Sequence, residues 1–359
     1  MIFISFLMVF TVLVALMVVH EFGHFVLAKK FGVKVEEFGI GYPPRLWAKK
    51  ISETVYSLNL IPFGAFVRLP DEDTVEVGQK YANQPIWKKM LIALGGVFSF
   101  WIIAALLLGM VFMNGTQLSI ADSESGNLQN VEVIITRVFL DSPAATAGLK
   151  AGDVIVKMEI GDKQQEISQV KEVQDFVAGH AGEKIAMTIK RGNSSFRTDV
   201  VLRQSPPTGE GLLGIGLDRT AFKRFPWPTA LWQGIYTTGV YTRAILAGYS
   251  QALANIFSGK PSGIELTGIV GIGHMGIEAL QLGLVNFILF VALISIYMAI
   301  FNALPIPVVD GGKVLFLIIE AVRRRPLKPE LEQKIDTVAF AILIGLMVLV
   351  TIKDVINLF

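Results

Sequence analysis

Residues 2–19 carry no charge, and the apolar run continues through His20-Glu21-Phe22-Gly23-His24 and Phe25-Val26-Leu27-Ala28 before Lys29 and Lys30 mark a water interface. A helix rises about 1.5 Å per residue, and a membrane-spanning one needs about 20 mainly apolar residues. Residues 1–28 are therefore expected to form transmembrane helix 1. Measured back from Lys29 along an unbroken helix, His24 lies about 8 Å and His20 about 14 Å inside the boundary. The histidines are spaced i and i+4, so their imidazoles share one face and can hold one tetrahedral zinc ion. Glu21, beside the first of them, can act on water rather than bind the metal. Two histidines and a glutamate are costly in hydrocarbon, which weighs against coincidence and makes them functional candidates. A cleavable signal peptide would show a basic leader and a shorter apolar core, so this helix is expected to be retained.

The chain has 359 residues, of which 52% are hydrophobic and 17% charged, with a mean hydropathy of +0.56. That is more apolar than a soluble globular protein, and an integral membrane protein is expected. A net charge of +2 gives no concentrated basic surface for nucleic acid. Cysteine is absent, so a metal must be held by histidine and carboxylate. Of the four histidines, His180 and His274 fall in other regions and read as ordinary polar residues.

Three more apolar segments are expected to span: 90–113, 284–304 and 337–353, the last short for a full crossing. Basic residues concentrate after the first span (Lys29, Lys30, Lys34, Arg45, Lys49, Lys50, Arg68, Lys80, Lys88, Lys89) and between the third and fourth (Arg323, Arg324, Arg325, Lys328). Both loops are therefore expected in the cytoplasm, with the termini and the long insert outside. Within the loop 29–89, Tyr56 to Ile61 alternates like a strand, Pro62-Phe63-Gly64 offers a turn, and Ala65 to Leu69 returns. A β-hairpin over about 56–69 is expected. It either dips into the membrane face, where its unpaired edge needs a partner, or is a small cytoplasmic hairpin.

The insert holds a compact α+β unit over 131–217. Its Asp141-Ser-Pro-Ala-Ala-Thr-Ala-Gly-Leu-Lys-Ala-Gly-Asp153 run resembles that of bacterial PDZ domains. The resemblance implies a groove that accepts an extended or C-terminal peptide as an added strand, or else a steric guard. After it, 226–258 mixes Trp, Tyr, Leu and Ile with Gly, Thr and Ser, and is expected to be an interfacial amphipathic helix.

Two histidines leave a catalytic zinc one protein ligand short. Asp310 is the candidate, in Asn302-Ala-Leu-Pro305-Ile-Pro307-Val-Val-Asp310-Gly-Gly312, which belongs to the segment 305–336 and lies between apolar runs. Its prolines and glycines must break the helix, and broken helix at membrane depth is tolerated only beside protein or a watery cavity.

Taken together, HEFGH in span one, Ile61-Pro-Phe-Gly64, a PDZ-like insert between spans two and three, and Asn302xxPxPxxAspGly311 resemble the site-2 protease family, in its bacterial RseP- and RasP-like branch. The resemblance covers almost the whole chain. It implies a multi-pass α-helical membrane protein of about four transmembrane helices, with a membrane-associated β-hairpin and an inserted α+β PDZ-like domain. It implies an intramembrane zinc metalloprotease with His20, His24 and Asp310 as ligands of Zn2+, Glu21 as catalytic base and Asn302 as a polar substrate contact. The hairpin residues Tyr56, Leu58, Leu60 and Phe66 are expected to meet substrate held as an added strand. Implied partners are single-pass membrane proteins already cut outside by another protease, such as anti-sigma factors or remnant signal peptides. The implied location is the bacterial inner membrane, with the PDZ-like unit outside and the active site near the cytoplasm. The chain departs from the family pattern at Leu94-Gly-Gly-Val-Phe-Ser99, at Gly268-Ile-Val-Gly-Ile272, at Ala65, and in carrying one PDZ-like domain where some relatives carry two. A silent zinc-bound scaffold would not need Glu21 in hydrocarbon, and a metal transporter would show repeated halves that this sequence lacks.

Overall fold

The computed structural model describes residues 2–69, 81–126, 128–161, 163–192, 194–207, 209–263 and 266–358, so Lys80 lies outside the described residues. Along the chain run α1 (Ile2–Lys30), β1 (Glu37–Ile51), β2 (Thr54–Arg68), α2 (Ile86–Asn114), β3 (Thr116–Ser119), β4 (Gln129–Val138), α3 (Pro143–Thr146), β5 (Val154–Ile160), β6 (Lys163–Glu166) and α4 (Val170–Ala178). There follow β7 (Lys184–Arg191), β8 (Ser194–Val201), β9 (Ile215–Lys223), α5 (Trp227–Phe257), α6 (Ile269–Gln281), α7 (Leu284–Ala303), α8 (Asp310–Arg323) and α9 (Pro329–Leu358). They form two compact units, Phe112–Phe225 and the remainder.

In the larger unit, α1, α2, α7 and α9 are long and apolar enough to cross a membrane. The last gains the length that the apolar run alone lacks by extending through polar residues such as Glu330 and Glu332. Helices α1, α2 and α7 meet in a cluster that includes Val9, Leu16, Val97, Phe100, Phe290 and Val291. Between helices in lipid, close packing replaces the hydrophobic effect as the driving force, and small residues allow it. Gly23 and Gly95 provide that approach, since a Cβ on Gly23 would stand 2.2 Å from the Gly95 carbonyl oxygen.

The sequence gives no sign that 269–281 and 310–323 are helices, because Gly-rich and broken patterns hide them; they are α6 and most of the segment expected as loop. The expected interfacial helix is α5, of 31 residues. Its small residues are contact residues: Ala230, Gly234 and Thr238 are buried, and a Cβ on Gly234 would come within 2.2 Å of the Ala105 carbonyl of α2.

The expected hairpin is corrected. Residues 56–61 and 65–69 do not pair with each other across Pro62-Phe63-Gly64; all but Leu69 lie in one long strand, β2, paired with β1. The tight turn is at Ser52, whose φ is 55°, between Ile51 and Thr54. Residues 37–40 lie between 55–58 on one side and 65–68 on the other. The sequence hides β1 because Gly39-Ile40-Gly41-Tyr42-Pro43-Pro44 interrupts its alternation. A buried carboxylate ties the folded-over strands together. Glu37 accepts from the Ser57 hydroxyl at 2.6 Å and pairs with Arg45 at 2.7 Å and Arg68 at 3.2 Å. Burial disfavours its charge, but Ser57 and the two guanidiniums outweigh that and hold the carboxyl below its usual range.

The smaller unit is wider than the expected 131–217. Its seven-stranded sheet runs β3-β9-β4-β5-β7-β8, with β6 on β5. Val133, Ile135, Ile155, Met158, Phe176, Met187 and Ile189 fill its core. The Ser142-Pro143 run caps α3, the Ser142 hydroxyl accepting from the Ala145 N–H. Asp153 accepts from the Arg191 guanidinium at 2.6 Å and 2.7 Å and from the Lys150 N–H at 2.8 Å.

Candidate metal centre

His20 and His24 lie one above the other on α1, as their spacing requires. The third group comes from the break after α7. Pro305 and Pro307 have no N–H to continue that helix, and α8 starts at Asp310. A Cβ on Gly311 would fall 2.1 Å from the Leu304 carbonyl oxygen, and one on Gly312 2.2 Å from that of Ile306. Only glycine lets the first turn of α8 fold so tightly against this segment. Asp310, 5% exposed, sits in that first turn, where the helix end favours a carboxylate.

Val308, two residues earlier, has φ of 83°, a left-handed conformation that is strained for a β-branched side chain. Its N–H donates to the Asp336 carboxylate of α9 at 3.2 Å. Val308→Gly is expected to leave zinc content unchanged and to raise thermal stability in detergent by about 1 kcal/mol, the strain released less the entropy of glycine. A loss of stability would show that Val308 is not held under strain.

Asp310 Oδ2 lies 3.1 Å from His20 Nε2 and 3.2 Å from His24 Nε2, and the two Nε2 atoms are 3.2 Å apart. Zinc bonds of 2.0–2.1 Å at tetrahedral angles place ligand atoms about 3.3–3.4 Å from one another. The triangle therefore has the size of one face of a zinc tetrahedron. Its chemistry agrees. The His24 Nδ1–H donates to the Ile92 carbonyl at 2.8 Å, which in the neutral ring leaves Nε2 bare. That lone pair meets the lone pairs of Asp310 Oδ2, a buried oxygen with no hydrogen-bond donor. A cation between them resolves the opposition, so the residues fit zinc.

Helix α2 forms the back wall. Phe100 stacks on the His20 ring with centroids 4.7 Å apart. Gly96 leaves room for both rings, because a Cβ there would stand 2.3 Å from His20 Cε1 and 2.5 Å from His24 Nε2. In front is a cavity of about 490 Å³ lined by Glu21, His24, Asp310, Lys313, Tyr81 and Val67, among others. Lys313 Nζ is 3.7 Å from Asp310 Oδ1. Burial, with the acids Glu332, Glu320 and Asp310 nearby, pushes the Tyr81 phenol up to about 12, so it remains a hydroxyl donor.

The other candidates are placed differently. Asn302 donates to the Met298 carbonyl of its own helix at 2.9 Å. Tyr56 packs between Phe25 and Phe38, and Phe66 stacks on Tyr42. Leu58 and Leu60 are exposed. The His180 Nδ1–H donates to the Phe176 carbonyl of α4 at 2.7 Å, and His274 lies 3.6 Å from Glu278 on α6. Gly96, Phe100, Tyr81 and Lys313 were missed by sequence reasoning. The Gly95-Gly96 pair in an apolar helix is the signal that could have found the first, since such pairs mark close approach.

A His-Glu-x-x-His helix and a buried aspartate whose ligand atoms converge on a position that fits one zinc ion, with the glutamate on the adjoining cavity, define a zinc metallopeptidase site. Comparison with known proteins agrees. The model of peptidase family M50 matches residues 8–346, and the chain belongs to that family, the site-2 proteases. A candidate zinc metalloprotease of Clostridium perfringens is 32% identical over 95% of this chain and 96% of its own. The zinc metalloprotease RasP of Shouchella clausii is 26% identical, and that of Oceanobacillus iheyensis 27%, each over 99% of both chains. Among solved structures, the PDZ domain of an SdrC-like protein from Listeria monocytogenes is similar to 26% of this chain and 92% of its own, at 23% identity and a TM-score of 0.21. The protein is an integral membrane zinc metalloprotease.

Proposed function

We propose that this enzyme hydrolyses peptide bonds within or beside the transmembrane segments of single-pass membrane proteins already shortened outside by another protease. The observation that carries the reading is the ligand triangle itself, built from one helix apolar enough to span a membrane and the break that follows another. When bound, zinc polarises the scissile carbonyl and makes water acidic enough to be deprotonated near neutral pH. His20, His24 and Asp310 hold it. The Glu21 carboxylate takes the proton from the attacking water and delivers it to the leaving amine nitrogen. Substrates of the class implied by the family resemblance, anti-sigma factors or remnant signal peptides, would enter from the bilayer. The basic loops support a bacterial inner-membrane orientation with the cavity toward the cytoplasm and the inserted unit outside.

A helical substrate hides its carbonyls in internal hydrogen bonds, so it must be held extended. The segment 65–68 is suited to that task. The Arg68 carbonyl accepts from the Glu36 N–H, so strand alternation turns the Val67 N–H away from β1, and Val67 lines the cavity beside the metal ligands. An added substrate strand would find its partner there. Val67→Pro removes that N–H without touching the β1 pairing, and is expected to slow cleavage about tenfold or more with zinc content unchanged. Equal loss of zinc and cleavage would remove the strand from the mechanism.

The reading is tested by reconstituting the enzyme with a single-pass model substrate in liposomes and mapping the products by mass spectrometry. Cuts inside or at the edge of the substrate's apolar segment are expected. Cuts confined to its soluble parts would refute intramembrane proteolysis.

A further inference from the structure

In the smaller unit, strands β4 to β9 with α3 and α4 make up the inserted α+β body, and β3 is a strand added to the edge of its sheet. It is added antiparallel to β9, with Thr116 opposite Lys223 and Ser119 opposite Thr220. Helix α4 packs beside β9. An exposed edge beside a helix is where a domain of this kind takes an extended peptide. Here the chain itself lies on part of that edge.

The contacts are those of a docked ligand. The Ile120 N–H donates to the Arg219 carbonyl at 2.8 Å, and Ile120 is buried. The Ser119 hydroxyl donates to Asp218 at 2.8 Å. The Asp122 carboxylate accepts from the N–H groups of Val170 at 3.1 Å and Lys171 at 2.8 Å, at the start of α4. The Arg219 guanidinium donates to the carbonyls of Ser168, Ala121, Asp122 and Glu124. These contacts fix the chain along Arg219 to Lys223.

The rest of the edge lies ahead of it. Because Arg219 turns its carbonyl to β3, alternation turns the N–H and C=O of Leu217 and Ile215 to the same side. In the preceding loop, the carbonyls of Leu212 and Gly214 accept from the N–H groups of Arg203 and Phe139. Planar trans peptides then aim the N–H groups of Leu213 and Ile215 the opposite way. A peptide continuing the direction of β3 would bring its C-terminus to those donors.

We propose that residues 116–122 are a resident ligand of the unit's own groove. They shorten it so that it accepts only about the last three residues of a chain ending in a free carboxylate, and refuses an extended segment that would pair along all of β9. The proposal rests on the peptide-groove reading of this unit and is independent of the zinc chemistry, so it is tested in full-length Glu21→Gln protein in detergent.

The chain has no cysteine, so the pair Ser119→Cys and Thr220→Cys can be oxidised to lock the strand in place. Leu118→Pro removes an N–H directed at β9, and Asp122→Ala removes the anchor on α4; either releases it. Two fluorescein-labelled probes end in Val-Ala-Val with a free carboxylate, one on a Gly-Ser tether, the other extended by about six alternating Thr and Val residues. The unmodified and oxidised proteins are expected to bind both probes equally. The releasing variants are expected to bind the long probe at least about tenfold more tightly than the short one. Failure of the pair to cross-link, preference for the long probe in the oxidised protein, equal binding by both releasing variants, or no binding of either probe by any of the proteins would each overturn the proposal.

Discussion

Glu21→Gln is expected to lower peptide hydrolysis by about 10²–10⁴-fold, the range for losing a positioned general base, and to leave one zinc bound per chain. The substitution keeps the side chain's shape, and the three atoms that converge on the metal position belong to His20, His24 and Asp310. Glu21 instead lines the cavity in front of them. Retained activity with zinc bound would require another base. The same cavity also carries the carboxylates of Glu320, Glu332 and Asp336, whereas the Tyr81 phenol on it holds its proton to about 12.

Gly96→Ala is expected to weaken zinc binding by at least about a hundredfold, with cleavage lost in step. The added methyl would stand 2.5 Å from His20 Nδ1 and 2.5 Å from His24 Nε2. Neither ring has somewhere to go: Phe100 is stacked on His20, and the His24 Nδ1–H is tied to the Ile92 carbonyl. Displacement of about 1 Å exceeds what a metal site tolerates. Alanine is the better helix former by about 1 kcal/mol, so α2 itself would not be weakened. Gly109→Ala on the same helix is the control, because its Cβ would meet only ordinary contact at 3.4 Å from Leu231 Cα. It is expected to keep zinc and activity. Normal zinc affinity in Gly96→Ala would mean that α2 does not form the back wall described.

What could be read from the sequence was what carries a strong periodic or chemical signal. Four apolar runs gave the four helices, because burial in lipid demands continuous hydrophobicity. The spacing of His20 and His24 and the isolated Asp310 pointed to one another through ligand counting alone. Elements defined by partners far along the chain were hidden. Strand β1 is interrupted by glycine and two prolines, and it pairs with both halves of β2 only after folding back over it, so local alternation suggested a hairpin within 56–69 that does not exist. Helix α6 is capped at Gly268, whose N–H, like that of Gly271, donates to Asp354 near the end of α9 at 2.8 Å; no local pattern announces a cap supplied from so far away. The addition of β3 to β9 was equally invisible, since four residues of strand carry little signal.

The account rests on one zinc held by His20, His24 and Asp310 and required for peptide hydrolysis. The most direct test is to strip metal from the purified enzyme, restore zinc in steps, and measure bound zinc and substrate cleavage in the same samples, with Asp310→Ala carried alongside. The account predicts that cleavage rises in proportion to bound zinc up to one per chain, and that Asp310→Ala neither retains zinc nor cleaves. Cleavage by metal-free enzyme, or a full complement of zinc in Asp310→Ala, would contradict it.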